Sequence, residues 1–104
     1  MSDKIKIVYQ FPGEISHIAE IPNTLTAFQK LVGGHIEVHR ITDSLLLVMD
    51  EEGCLKNLPD NVRCVRYGTI CGPVVVVAED MDDFRSLTTE EIQSARAWLL
   101  RHTV

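Results

Sequence analysis

Four consecutive valines, Val74–Val77, are the feature that most restricts the fold of this chain. Valine is β-branched, and successive side chains of a strand point to opposite faces of its sheet. A run of valines without polar alternation therefore predicts a strand that is covered by protein on both faces. Pro73 has no backbone N–H to donate to a sheet, so we expect the strand to begin directly after it.

The segments before this run carry strand periodicity, turns and one helix. KIKIVYQF alternates lysine with isoleucine, which indicates a half-buried strand, and Pro12-Gly13 predicts a hairpin turn into a second strand, ISHIAEI. Asn23 is placed to cap a helix with an apolar face, and Gly33-Gly34 is placed to end it. The remaining predicted strands are HIEVHRI, LLLVMD, CVRY and PVVVVAED. The acidic segment EDMDDF is expected to be a solvated loop before the last helix.

The last helix has the clearest signals. Thr88 and Glu91 stand at capping-box spacing, and Leu87 and Ile92 stand at the positions of a hydrophobic staple. We therefore predict one α+β domain over residues 1–104 with the element order β-β-α-β-β-β-β-α. Its mostly antiparallel sheet has about five to six strands, and two helices pack on it.

The charge of the chain argues against several classes of function. The formal net charge is −5, and the ten Lys and Arg residues are scattered along the sequence. Nucleic-acid binders usually carry a basic face, so we expect no DNA or RNA partner. No apolar segment reaches the roughly 20 residues that span a bilayer, and the N-terminus lacks the apolar core of a signal peptide. We expect a cytoplasmic protein without a membrane segment.

Metal, cofactor and catalytic motifs find little support in the sequence. The three cysteines (Cys54, Cys64 and Cys71) are odd in number and widely spaced, which favours three small buried hydrophobic residues over a zinc site or a disulfide framework. On a strand that rises about 3.3 Å per residue, His35 and His39 would lie about 13 Å apart, too far to share a metal. No nucleophile elbow occurs, and no glycine-rich loop precedes a helix. We expect no metal, no cofactor and no catalytic residue.

Polar residues in three segments are the candidates for a binding site. His35, Glu37 and His39 share one face of their predicted strand, where they form either a solvent-facing stripe or contacts to a partner. Glu51-Glu52-Gly53 fits a turn in which glycine supplies a positive φ. LPDN fits a second turn, in which Asp60-Asn61 bonds locally to the backbone. The candidate binding residues are therefore His35, Glu37, His39, Glu51, Glu52 and Asn61.

Three segments of the chain, LVGGHIEV, LLLVMDEEGCLKNLPDN and SLTTEEI, resemble in their order a family of small phage, plasmid and bacterial proteins known as domain of unknown function number 3846. The resemblance extends over nearly the whole chain. It rests on Gly33, Gly34, Ile36, Glu37, Glu51, Glu52, Gly53, Leu58, Pro59, Asn61 and Gly72. The chain departs from the pattern at Asp50, where the family has asparagine, and at Val62, where arginine is common. The resemblance implies a phage or mobile-element setting and implies no activity.

These observations favour a non-enzymatic binding protein that acts on a host protein or a small molecule. A self-assembling structural or accessory subunit is the first alternative, and an exposed edge strand or a homo-oligomer would support it. A small enzyme that uses carboxylate and histidine acid–base chemistry is the second alternative. It would need a pocket in which those groups converge.

Overall fold

The computed structural model describes residues 3–104, which form eight strands and two helices. The strands are β1 (Lys4–Gln10), β2 (His17–Pro22), β3 (Ile36–Arg40), β4 (Leu45–Asp50), β5 (Asp60–Cys64), β6 (Gly68–Cys71), β7 (Val74–Asp80) and β8 (Asp83–Arg85). The helices are α1 (Leu25–Val32) and α2 (Thr89–His102). The main sheet has the order β2-β1-β7-β4-β3, with β8 beside β7, and its pairs are antiparallel. The predicted α+β class, with its antiparallel sheet and two helices, is confirmed.

The central strand β7 is buried on both faces, as its valines predict. Val74 and Val76 belong to the hydrophobic cluster beneath α2, which includes Leu99. Val75 and Val77 belong to the cluster on the opposite face, beneath α1. All four valines are fully buried, and each contributes on the order of 1.5–3 kcal/mol relative to an exposed side chain. The sheet is therefore the middle of three layers, and both helices are needed to cover it.

The first hairpin and α1 follow the predicted course with one change at the helix start. Thr24, and not Asn23, is the N-cap of α1: its hydroxyl accepts a hydrogen bond from the Ala27 N–H at 3.2 Å. The Asn23 amide instead donates to the Phe84 carbonyl at 3.1 Å, which ties the start of α1 to β8. Gly33 ends the helix with a φ of 89°, as predicted.

The segment after β4 differs most from the prediction. The predicted strand CVRY is replaced by the two-stranded hairpin β5–β6, which lies outside the main sheet. Only Cys64 of CVRY lies in a strand; Val65 is fully exposed in the turn of the hairpin. The hairpin buries Val62 and Ile70 against the α2 face of the sheet. This burial decides the position of the strands, because it removes apolar side chains from water.

The acidic segment EDMDDF is a tight hairpin and not a loop. The end of β7 pairs with β8, and Met81 has a φ of 58° in the turn between them. Phe84 of β8 packs edge-on against Phe28 of α1, with ring centroids 4.9 Å apart. The aromatic contact fixes a short strand that polar composition alone does not indicate.

The sequence predicts that Asn61 bonds to its local backbone. Asn61 bonds instead to distant parts of the chain. Its amide donates to the carbonyl oxygens of Gln10 at 2.8 Å and Gly72 at 2.9 Å, and it accepts from the Gln10 side chain at 2.9 Å. The Val104 N–H donates to the Asn61 carbonyl at 3.0 Å. The side chain is buried, so these bonds hold β1, the β5–β6 hairpin and the C-terminus together.

Replacing Asn61 by alanine should lower the free energy of unfolding by about 2–4 kcal/mol, because buried backbone carbonyls lose their donors. The measurement is a urea titration at neutral pH. Gln93→Ala, on an exposed part of α2, is the control and should change stability by less than about 0.5 kcal/mol. Equal stability of the two variants would show that the Asn61 bonds add nothing to the fold.

The start of α2 has the predicted capping box. The Thr88 hydroxyl accepts from the Glu91 N–H at 3.1 Å, and the Glu91 carboxylate accepts from the Thr88 N–H at 3.0 Å. The Arg85 guanidinium donates to both carboxylate oxygens of Glu91, at 2.7 and 2.9 Å. This bidentate contact is the main reason why the pKa of Glu91 is lowered to about 2.

The Glu91 contacts should make the free energy of unfolding depend on pH in the acidic range. A carboxylate with a depressed pKa stabilises the fold above its ordinary pKa of 4.5, and this contribution is lost as the pH falls towards about 2. The stability difference between the unmodified protein and Glu91→Gln should therefore be largest at neutral pH and shrink over this range. Thermal unfolding at a series of pH values measures it. Glu90→Gln, exposed in the same helical turn, should show no such trend.

Candidate functional site

A polar cleft of about 170 Å³ lies between β3, the turn that follows β4, and the β5–β6 hairpin. It brings together Glu37 and His39 from β3, Glu51 from the turn, and Tyr67 and Thr69 from the hairpin. These residues are up to 32 positions apart in the sequence, from Glu37 to Thr69. The cleft exists because the hairpin folds back over the edge of the main sheet.

His39 and Tyr67 form one wall of the cleft. Their rings stack with centroids 4.0 Å apart, and the His39 Nε2 atom lies 2.7 Å from a Glu37 carboxylate oxygen. The Tyr67 hydroxyl donates to the Arg40 carbonyl at 3.0 Å, and the Arg66 guanidinium lies 5.3 Å from the Tyr67 ring centroid. Both rings are therefore held by neighbours, and the hairpin is attached to the edge of the sheet.

Asp50 organises the turn at the end of β4. Its buried carboxylate accepts from the Lys56 ammonium at 2.7 Å and from the Glu52 N–H at 2.9 Å. Burial opposes ionisation of Asp50, but the hydrogen bonds from Lys56 and Glu52 outweigh burial, so its pKa lies below the ordinary value. A Cβ atom on Gly34 would lie 2.9 Å from this carboxylate. Glycine at position 34 therefore leaves space for the ion pair between the buried Asp50 and the exposed Lys56.

Gly53 is required in this turn for a reason different from the predicted one. The φ of Gly53 is not positive; in this turn Asn57 has a positive φ, at 61°. A Cβ atom on Gly53 would lie 2.3 Å from the carbonyl oxygen of Cys71. The turn passes so close to β6 that no side chain fits between them.

Cys54 of the turn and Cys71 of β6 form a disulfide, with Cα atoms 5.0 Å apart. The prediction of three small buried hydrophobic cysteines is therefore wrong for this pair; Cys64 is free and partly buried. Both bonded cysteines line the cleft. The bond fastens the turn that carries Glu51 to the hairpin that carries Tyr67.

The structure separates the six candidate binding residues into three groups. Glu37, His39 and Glu51 line the cleft. His35 and Glu52 are exposed beside it but do not line it. Asn61 is buried in the interior, where internal hydrogen bonds occupy its amide.

Sequence reasoning missed Tyr67, Thr69 and the ion pair between Asp50 and Lys56. Tyr67 was not recognised as a candidate residue because CVRY was predicted to be a strand, which placed Tyr67 inside a sheet. A buried partner for Asp50 could be suspected from a charged residue at the end of the apolar strand LLLVMD, since buried charges need partners. Within residues 3–104, no group of three or more His, Cys, Asp or Glu side chains is arranged to hold a metal ion.

A larger groove of about 570 Å³ lies between β2 and α1, on the opposite face of the sheet. Its lining is mostly apolar and includes Phe11, Ile21 and Leu31, with Lys30 as the one charged residue. None of the six candidate residues reaches it. The polar cleft is the candidate site because it contains groups that can recognise a charged ligand, whereas the groove presents mainly apolar surface.

The fold and the cleft define a small three-layer α+β protein with a polar site at one edge of its sheet. The family model described as Domain of unknown function (DUF3846) matches residues 5–100, so the chain belongs to this family. The resemblance seen in the sequence is thereby confirmed. We found no significant similarity to a curated protein or to a solved structure. In the described part of the chain, neither helix has the length and apolarity of a membrane span.

Replacing Lys56 by methionine should destabilise the fold by about 1–3 kcal/mol, because it leaves the buried Asp50 carboxylate without its charged partner. The loss should diminish at low pH, where Asp50 becomes protonated. Adding Asp50→Asn to this variant should restore part of the stability, because no buried charge remains. Urea titrations measure both effects, and Lys30→Met on the exposed side of α1 is the control. An identical loss in the single and double variants would contradict this account.

Proposed function

We propose that this protein is a non-enzymatic binding protein whose polar cleft receives a positively charged group of a partner. The observation that carries the proposal is the composition of the cleft. Its lining includes the carboxylates of Glu37, Asp50 and Glu51, and no Lys or Arg. Asp50 is buried and paired with Lys56. The Glu37 carboxylate, which contacts His39, and the Glu51 carboxylate are exposed, so they are the groups that a cationic partner would meet.

The state of the aromatic wall supports binding as the role of the cleft. His39 is stacked on Tyr67, and Tyr67 is held by Arg40 and Arg66. A wall whose parts are fixed before a partner arrives loses little conformational freedom on binding. The net charge of −5 also favours the approach of a cationic partner.

The biological setting is part of the proposal. The resemblance implies a phage or mobile element, and small proteins of such elements often act on a protein of their host. We propose a host protein as the partner, met in the cytoplasm, and not a nucleic acid. A small cationic molecule would use the same carboxylates.

Neutralising the cleft should weaken binding of a cationic probe. The probe is a short peptide of alternating arginine and threonine, acetylated and amidated at its ends. Glu37→Gln/Glu51→Gln should lower its affinity about tenfold, because each exposed charge pair contributes on the order of 0.5–1 kcal/mol. Isothermal titration at about 0.15 M salt, where the Debye length is about 8 Å, measures the affinity, and backbone NMR shifts locate the contact.

Two controls distinguish the cleft from general attraction to an acidic protein. Glu14→Gln/Glu20→Gln removes the same charge from the exposed β1–β2 hairpin, at the other edge of the sheet. It should leave the affinity within about twofold, because exposed charges beyond a Debye length are largely screened. A peptide with glutamate in place of arginine should not bind. Equal losses in both double variants would overturn the proposal.

Self-assembly is favoured by a different observation: β2 and β3 are edge strands, each paired on one side only. Open edges of this kind can join a second copy of the same chain. Sedimentation of the purified protein over a range of concentrations tests it, and a concentration-independent monomer would exclude it.

Acid–base catalysis is favoured by the contact between His39 and Glu37 inside the cleft. A carboxylate beside an imidazole is an arrangement that enzymes use for proton transfer. Mass spectrometry of the cationic peptide after incubation tests this possibility. A product that forms with the unmodified protein and not with His39→Gln would favour an enzyme.

A further inference from the structure

The free edge of β3 runs along the cleft, and the register of the sheet shows which backbone groups point outwards. β3 pairs with β4 so that Ile36 lies opposite Asp50 and Val38 opposite Val48. The Glu51 N–H donates to the His35 carbonyl at 2.9 Å, and the Ile41 N–H donates to the Leu45 carbonyl at 3.0 Å. In an antiparallel pair such bonds recur at every second residue. Odd-numbered residues therefore bond to β4, and even-numbered residues point away from it.

Three residues of β3 consequently direct their N–H and C=O groups towards the free edge: Ile36, Val38 and Arg40. The Arg40 carbonyl is taken by the Tyr67 hydroxyl. Within residues 3–104, no side chain and no further strand bonds to the outward groups of Ile36 and Val38. These four groups are a row of donors and acceptors beside the cleft, and a main chain can satisfy them.

The alternation of side chains connects this edge to the cleft. Glu37 and His39 lie between the outward residues, and their side chains line the cleft. In an antiparallel pair, directly opposite residues place their side chains on the same face. A partner residue bonded to Val38 would therefore turn its side chain to the face beneath α1. The residues on either side of it would turn theirs to Glu37 and His39.

We infer that the partner enters the cleft as an extended segment that adds an antiparallel strand to β3. This inference rests on the proposed function and specifies the kind of partner. Main-chain hydrogen bonds to Ile36 and Val38 position the segment, and an arginine or lysine between the bonded residues meets Glu37 and Glu51. Strand addition of this kind draws its affinity from the main chain and its specificity from alternate side chains.

A foreign segment fits this edge better than a second copy of β3 does. A two-fold axis through Glu37 would pair Ile36 of one chain with Val38 of the other, but it would place the two Glu37 side chains directly opposite each other, and like charges in that position are destabilising. A two-fold axis through Val38 would place Ile36 of one chain opposite Arg40 of the other. The Ile36 N–H would then need the Arg40 carbonyl, which the Tyr67 hydroxyl already occupies. A short segment that bonds only to Ile36 and Val38 avoids this competition. The other open edge, β2, ends in Pro22, which has no N–H to offer, and it lies away from the cleft.

The experiment uses two N-methylated isomers of the arginine–threonine peptide. In the antiparallel arrangement the threonine amides bond to β3, while the arginine amides point away from it. N-methylation of the threonine amides should lower affinity at least about fivefold, because it removes main-chain donors. N-methylation of the arginine amides should have little effect. Titration against the unmodified protein compares the two isomers, which have equal charge and composition.

A variant of the protein gives an independent test. Val38→Pro removes one outward N–H and no bond to β4, and edge strands tolerate proline where the N–H faces solvent. It should lower the affinity for the unmethylated peptide about fivefold or more. Val38→Thr retains the N–H and should bind as the unmodified protein does. Circular dichroism shows whether each variant is folded, and the peptide isomers decide the question if Val38→Pro is not.

The outcomes separate this inference from the proposed function. Equal affinity of both methylated isomers, with loss in Glu37→Gln/Glu51→Gln, would overturn strand addition and leave a cationic ligand in the cleft. Loss for the arginine-methylated isomer alone would overturn the antiparallel orientation. No binding of the unmethylated peptide at millimolar concentration would overturn the proposed function and this inference together.

Discussion

Burial of β7 on both faces is the constraint on which the rest of the structure depends. A strand of four valines leaves no face for water, so each face must be covered by another layer. α1 covers one face, and α2 with the β5–β6 hairpin covers the other. The hairpin lies outside the main sheet and acts as a lid that packs Val62 and Ile70 on the α2 face of the sheet. The cleft is the gap that remains where this lid meets the sheet edge.

Local signals in the sequence were enough to predict the main elements. The valine run, the capping box at Thr88 and the glycine end of α1 act within a few residues, so a single chain displays them. Errors arose where distant contacts overrode local preference. Asn61 resembles a turn residue, yet it bonds to Gln10 and Gly72. β8 is acidic at its start, yet packing of its phenylalanine holds it in the sheet.

The candidate site was predictable only in part for the same reason. Period-two alternation places Glu37 and His39 on one face of a strand, and this reasoning needs no tertiary structure. The third predicted residue of the cleft, Glu51, reaches it because the turn folds towards β6, and that path depends on the absence of a side chain at Gly53. Tyr67 lies in the cleft because it belongs to the β5–β6 hairpin, and the sequence does not reveal the register of that hairpin. A cleft assembled from separate elements is thus visible only after folding.

Because Cys54 and Cys71 form a disulfide, the redox conditions around the protein determine whether this cross-link is present. Closing a loop of this size restricts the unfolded chain by roughly 3 kcal/mol, and the two cysteines lie in the wall of the cleft itself. Oxidised and reduced samples of one sequence therefore differ in whether the turn at Cys54 is covalently tied to β6. Affinities for the proposed cationic partner measured with and without a reducing agent therefore describe two covalent forms of the cleft wall.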